Sequence, residues 1–109
     1  MSSVERQWKP SNAKMFKELD PLLHSQLRLQ IMSLLISVKE AEFAFIKEKT
    51  SATAGNISVQ ISKLEEAGYI TVKKTFRDNY PLTSCKITTK GISAFEKYVQ
   101  SIKQYINKN

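Results

Sequence analysis

Apolar residues recur at helical spacing along the middle of the chain, most densely in its first long run. Leu27, Ile31, Leu34, Leu35 and Val38 fall on one helical face, and Leu29, Met32 and Ile36 line a second. A helix that is apolar nearly all round in so small a chain is its central core element. Leu29, Met32 and Ile36 therefore read as core or dimer contacts and not as a ligand box. Further on, Ile57, Ile61 and Leu64 recur at i, i+4 and i+7, which at about 100° per residue makes a single apolar stripe. Thr53 precedes that stripe as a side-chain N-cap, and Gly68 follows it where a left-handed C-terminal residue belongs. The period then changes from helical to alternating. Ile70, Val72 and Phe76 share one face of a strand spanning residues 69–77, while Tyr69, Thr71, Lys73 and Thr75 share the other and Lys74 breaks the pattern. Asp78-Asn79-Tyr80-Pro81 supplies turn chemistry, and residues 83–87 form a second strand with Cys85 and Ile87 opposite Ser84 and Lys86. A final helix starts at Thr89, where Ile92, Phe95, Val99, Ile102 and Ile106 follow at three or four residues with Tyr98 and Tyr105 beside them.

Weaker signals fill the gaps. Residues 1–18, with Trp8, Pro10, Met15 and Phe16 among polar residues, predict an arm that ends in a short helix over about 11–19. Trp8 and Phe16 stand either in solvent or against a partner subunit. Asp20-Pro21 marks a helix start that Ser25 can recap. Residues 42–45 predict a short strand, and residues 45–49 allow little more than one helical turn before the connection Thr50-Ser51-Ala52. The fold class is mostly α with a small β-hairpin. The 109 residues form one compact domain, divided into an arm (1–18), a central part (19–89) and a C-terminal helix (90–109).

The helix between Thr53 and Gly68 has an unusual outward face. Gly55, Asn56, Val59, Ser62, Lys63 and Glu66 point away from its stripe, whereas an ordinary solvated helix prefers Glu, Lys and Arg there. Short side chains with hydrogen-bonding tips suit a helix that enters a major groove about 12 Å wide. The charge balance agrees in sign: 17 Lys plus Arg stand against 10 Asp plus Glu, a net +7, and the pI is near 9.6. A polyanion is the natural partner of such a chain, although the basic excess is spread along it and a generally basic protein would show the same balance.

Other chemistry finds little support. The single Cys85 cannot form an intrachain disulfide, the single His24 has no neighbour at ligand spacing, and no Gly-rich phosphate loop or motif-spaced carboxylate pair occurs. No catalytic residue, metal ligand set or cofactor is expected. The stretch Leu27 to Val38 is interrupted by Arg28, Gln30, Ser33 and Ser37, so no membrane span is expected, and without a signal-peptide pattern the expected location is cytoplasmic.

Several local motifs carry a family likeness. Leu19-Asp20-Pro21-Leu22-Leu23-His24-Ser25 followed by Arg28-Leu29, then Gly55-Asn56-Ile57-Ser58, Lys63-Leu64-Glu65-Glu66-Ala67-Gly68-Tyr69-Ile70, Pro81-x-Thr83 and Ile87-Thr88-Thr89-Lys90-Gly91 resemble the stand-alone winged helix-turn-helix transcriptional regulators of the MarR and ArsR type. The resemblance covers 19 to about 106 and implies a winged helix with extra N- and C-terminal helices. It implies a homodimer on double-stranded DNA, with repression by promoter occlusion as the expected mode. Neither the sign of regulation nor a small-molecule effector is written in the residues. The implied recognition-helix contacts are Thr53, Ala54, Gly55, Asn56, Ser58, Val59, Gln60, Ser62 and Lys63, with Gln60 where relatives more often carry His. The implied wing contacts are Lys73, Lys74, Arg77, Asn79 and Tyr80, although the tip lacks the Arg or Lys that relatives place beside the Pro. The last helix supplies the expected dimer interface: Ile92, Phe95, Tyr98, Val99, Ile102 and Ile106. No Cys-x-Cys occurs, so the metal-sensing switch of ArsR-type sensors is not expected. A winged-helix module for protein or RNA contacts, without specific DNA readout, is the competing reading.

Overall fold

The computed structural model of the chain describes residues 16–106. Its elements are α1 (Gln26–Val38), β1 (Glu40–Glu42), α2 (Phe43–Thr50), α3 (Ala54–Glu66), β2 (Ile70–Arg77), β3 (Tyr80–Ile87) and α4 (Thr89–Ile106). The strands form one antiparallel sheet in the order β1-β3-β2. Helix α1 is the central element the sequence predicts. Its Ile31, Met32 and Leu35 are fully buried, and they meet Leu23, Ile46, Ile57, Leu64, Ile70 and Cys85 in a single core. Leu29 and Ile36 are half-buried against that core.

Helix ends follow local chemistry closely. Ser25 has extended backbone geometry and its hydroxyl accepts from the Arg28 N–H, so the recap at Ser25 is the true start of α1. Asp20-Pro21 starts no helix. The Asp20 carboxylate instead accepts from the Leu22 N–H at 2.9 Å and its carbonyl from the His24 N–H at 2.8 Å, closing a tight turn before α1. At the other end of the helix-turn-helix unit, Gly68 adopts φ 79°, its N–H donates to the Glu65 carbonyl, and the Tyr69 N–H donates to the Leu64 carbonyl. That pair of bonds is a Schellman closure, which requires the left-handed residue that the sequence places there.

Three expectations shift in register. The short strand lies at Glu40–Glu42, not 42–45, because Ala41 pairs with Cys85 and points into the core while Phe43 already opens α2. Helix α2 is consequently eight residues long and buries Ile46. Tyr80 and Pro81 belong to β3 and not to the turn: Arg77 pairs with Tyr80, and only Asp78 and Asn79, at φ 53° and 67°, make the two-residue connection. Two consecutive left-handed residues define the hairpin turn whose twist matches that of the strands, and Asp and Asn tolerate that region better than other non-Gly residues. Pro81 is tolerated because β1 reaches only as far as Ser84, so the side of β3 where its N–H is missing has no partner strand there. Phe76, expected beside Ile70 and Val72, is 75% exposed because the hairpin outruns the core at that point.

Trp8 and residues 11–15 of the expected N-terminal helix lie outside the described residues, and residues 16–19 are not helical. Phe16 stacks on Tyr105 of the same chain with ring centroids 4.7 Å apart, and the Lys17 N–H donates to Gln104. The segment therefore lies along the C-terminal half of α4. The start of α4 is capped by Thr88, whose hydroxyl accepts from the Gly91 N–H at 2.9 Å and donates to the Gly68 carbonyl at 2.6 Å. One side chain thus ties the end of the helix-turn-helix unit to the start of the last helix.

Candidate nucleic-acid interface

Helix α3 follows α2 after a left-handed Ser51 and a short connection. Thr53 caps it, its hydroxyl accepting from the Asn56 N–H at 3.2 Å. The stripe Ile57, Ile61 and Leu64 is buried, which leaves Ala54, Gly55, Asn56, Ser58, Val59, Ser62 and Lys63 exposed on the far side. Val59 is half exposed, without the polar group that solvent alone would favour. A Cβ added at Gly55 would meet nothing within 4 Å, so the chain's own packing does not explain a glycine in this first turn.

Gln60, expected among the recognition-helix contacts to DNA, is instead half-buried and engaged within the chain. Its Oε1 accepts from the Arg28 guanidinium of α1, and its Nε2 donates to Asn56 Oδ1 at 2.9 Å. In the sequence Arg28 stands out as a polar interruption of the α1 pattern and in the Arg28-Leu29 pair of the family likeness, and neither shows its bond to Gln60.

The hairpin residues divide between two faces. Lys73, Thr75 and Arg77 share the outer face of the sheet with Glu40 and Glu42 of β1, and Arg77 pairs with Glu42 at 2.7 Å. Lys74 and Phe76 lie on the opposite face, beside Thr83 and Pro81. The Arg77–Glu42 pair is 64% and 39% exposed, the setting in which an ion pair contributes about 0–1 kcal/mol, so a phosphate can displace the carboxylate at little cost. Asn79 sits in the turn, and Tyr80 is 72% exposed at the tip.

The expected interface helix also splits. Tyr98 is buried within the chain and hydrogen-bonds His24 Nδ1 at 2.9 Å, so it is a core residue and gives His24 the partner that sequence did not reveal. Ile92, Phe95 and Ile102 pack partly on the same core. Val99 is half-buried without joining that packing, and Ile106 is 75% exposed.

Among the described residues two ionisable groups are perturbed. Burial pushes the Cys85 thiol up to about 11, with the Glu65 charge adding to the shift, so the thiol stays protonated and behaves as a small core hydrophobe. Tyr69 is pushed up to about 12, first by desolvation and then by its 2.5 Å hydrogen bond to Asp20 and that carboxylate's charge. The neutral phenol is favoured in the folded state, so this contribution is intact below about pH 10 and is lost as pH rises from there toward 12. Tyr69→Phe should therefore make the alkaline fall in thermal midpoint shallower across that window while slightly lowering stability at pH 7. Melts at pH 7, 10 and 12 check it; an unchanged alkaline slope overturns it.

A helix-turn-helix unit followed by a β-hairpin, which pairs with β1 to complete a three-stranded sheet and projects past the core, defines the winged helix class. A family model described as a winged helix DNA-binding domain matches residues 27–106, and the chain belongs to that family. An uncharacterized protein of Methanocaldococcus jannaschii is 38% identical over 88 residues, covering 81% of this chain and 95% of that protein. A transcriptional regulator homologue from Pyrococcus horikoshii superposes with a TM-score of 0.74 at 30% identity, over 79% of this chain and 85% of its own. A mutant MarR from E. coli, solved in complex with operator DNA, shares the fold with a TM-score of 0.66 at 17% identity, over 80% of this chain and 61% of its own. Among the described residues no helix is long and apolar enough to cross a membrane, and no cluster of His, Cys, Asp or Glu is grouped to hold a metal ion.

Proposed function

We propose that this protein is a sequence-specific double-stranded DNA-binding transcriptional regulator, acting as a homodimer and repressing by occlusion of a promoter. The observation that carries this reading is the outward face of α3: capped, exposed, built from short residues, and holding a glycine that internal packing does not require. Backbone N–H groups around Ala54, Gly55 and Asn56 meet phosphate at the helix N-terminus. Asn56, Ser58, Val59, Ser62 and Lys63 approach base edges, with Val59 suited to a thymine methyl. Lys73, Lys74 and Arg77 serve phosphates from the hairpin, and Lys74 does so without first leaving a carboxylate-lined face. The relatives named above support the reading, since one is called a transcriptional regulator homologue and a structural neighbour was solved on operator DNA.

Reading and anchoring separate experimentally. Asn56→Ala should cost about 1–3 kcal/mol on a selected site and little on random DNA, because a base-edge contact is lost. Lys74→Ala should weaken both alike and flatten the log–log salt dependence by about 0.9. Titrations at several salt concentrations decide between them. An unchanged ratio of specific to random affinity in Asn56→Ala, with that ratio collapsing in Lys74→Ala, would make the hairpin the reader. A wild-type protein that binds every duplex equally removes the specific-regulator reading altogether.

A further inference from the structure

Three side chains from two helices form a one-way hydrogen-bond relay behind the exposed face of α3. Arg28 Nε donates to the Leu22 carbonyl at 2.5 Å, which anchors the guanidinium to the turn before α1. Another guanidinium nitrogen donates to Gln60 Oε1, and Gln60 Nε2 donates to Asn56 Oδ1 at 2.9 Å. The direction is forced by chemistry. A guanidinium has donors only, so the Gln60 atom facing it is the oxygen; the other Gln60 atom is then the NH2, and the Asn56 atom facing that is again the oxygen. Asn56 Nδ2 is left as the group outside the relay.

We propose that Arg28 and Gln60 are positioning residues that set the polarity of the Asn56 amide and thereby the base it prefers. This inference rests on α3 being the DNA reader. With Nδ2 as the free donor, Asn56 favours a base that presents an acceptor in the major groove, purine N7 or thymine O4, and it disfavours cytosine, which offers there only its N4 donor. The second lone pair of Oδ1 remains able to accept from adenine N6. Gln60→Glu reverses the relay. One carboxylate oxygen keeps Arg28, the other can only accept, and it draws Asn56 Nδ2 inward so that Oδ1 becomes the outward group. The variant should therefore accept cytosine at the same position.

The test is selection of bound sequences from random duplex DNA by the wild-type chain, Asn56→Ala, Gln60→Glu and Arg28→Met, with a thermal melt for each. Wild-type selection should give one position depleted of cytosine, a preference that Asn56→Ala erases. In Gln60→Glu, cytosine should gain about 5-fold to 100-fold over guanine at that position, with the other positions unchanged. Arg28→Met leaves Gln60 free to turn and should lose discrimination at that position alone, which keeps the proposal testable should Gln60→Glu fold poorly. A merely structural relay would lower the melting temperature or all affinities together and leave base preference intact. Enrichment by the wild type, with the position erased by Asn56→Ala but unmoved by both relay variants, overturns this inference and spares the regulator reading. No enrichment by the wild type overturns both.

Discussion

Gly91→Ala should destabilise the protein by about 2–4 kcal/mol and lower its thermal midpoint by roughly 10–25 °C, the largest loss expected from adding a single methyl group. Gly91 is buried in the first turn of α4, and a Cβ there would lie 2.1 Å from the Tyr69 carbonyl oxygen and 3.0 Å from Ile87 Cγ1. The first of these is backbone, held by the Thr88 N–H that donates to it at 3.0 Å, so it cannot turn aside as the tip of a flexible side chain would. Relief requires moving α4 away from the end of α3, which breaks the Thr88 hydroxyl bridge between the Gly91 N–H and the Gly68 carbonyl. Thermal or urea unfolding measures it. A change below about 0.5 kcal/mol, the size of an ordinary surface substitution, would mean that the close approach is not rigid.

The combination Val99→Glu and Ile106→Glu should lower affinity for a duplex carrying two half-sites by about 10²- to 10⁴-fold while leaving a single half-site bound as before. On the proposed homodimer these residues lie at i and i+7 on one face of α4, and neither packs against the core cluster. Buried carboxylates at a two-fold interface would lack partners and separate the copies. Separation removes the effective concentration that one bound half-site lends the other, which is the source of the stated factor. Two-fold pairing places the two α3 helices about 34 Å apart, matching half-sites about 10 base pairs apart. Sedimentation should give twice 12.5 kDa for the wild type and 12.5 kDa for the variant. A wild type of 12.5 kDa, with and without DNA, overturns the dimer.

Elements with strong local signatures were legible in the sequence. The stripe of α3, its Thr53 cap and the Gly68 closure all lie within one short stretch, so the residues that decide them are chain neighbours. The same holds for the near-continuous apolar pattern of α1, the start of α4 at Thr89 and the presence of a hairpin after α3. Where two local signals competed, sequence chose less well. Asp20-Pro21 carries both helix-start and turn chemistry, and the Asp20 carboxylate settles the turn through bonds to Leu22 and to the distant Tyr69. The Tyr80-Pro81 pair has turn composition, yet strand pairing across Asp78-Asn79 draws both into β3.

The sequence by itself therefore determined the capped second helix of the helix-turn-helix unit, its exposed small-residue face and the strand alternation behind the wing, because period and caps are properties of neighbouring residues. The tertiary structure alone decided which polar groups on that face are free. Gln60 is turned inward by Arg28, 32 residues earlier; Arg77 is met by Glu42, 35 residues earlier; and Tyr98 is taken into the core beside His24, 74 residues earlier. None of these pairs shares a helix turn or a hairpin rung. Helical period places a residue on a face, but the hydrogen-bond partner that fixes its amide, charge or ring comes from an element whose position only the packing of α1, the sheet and α4 sets.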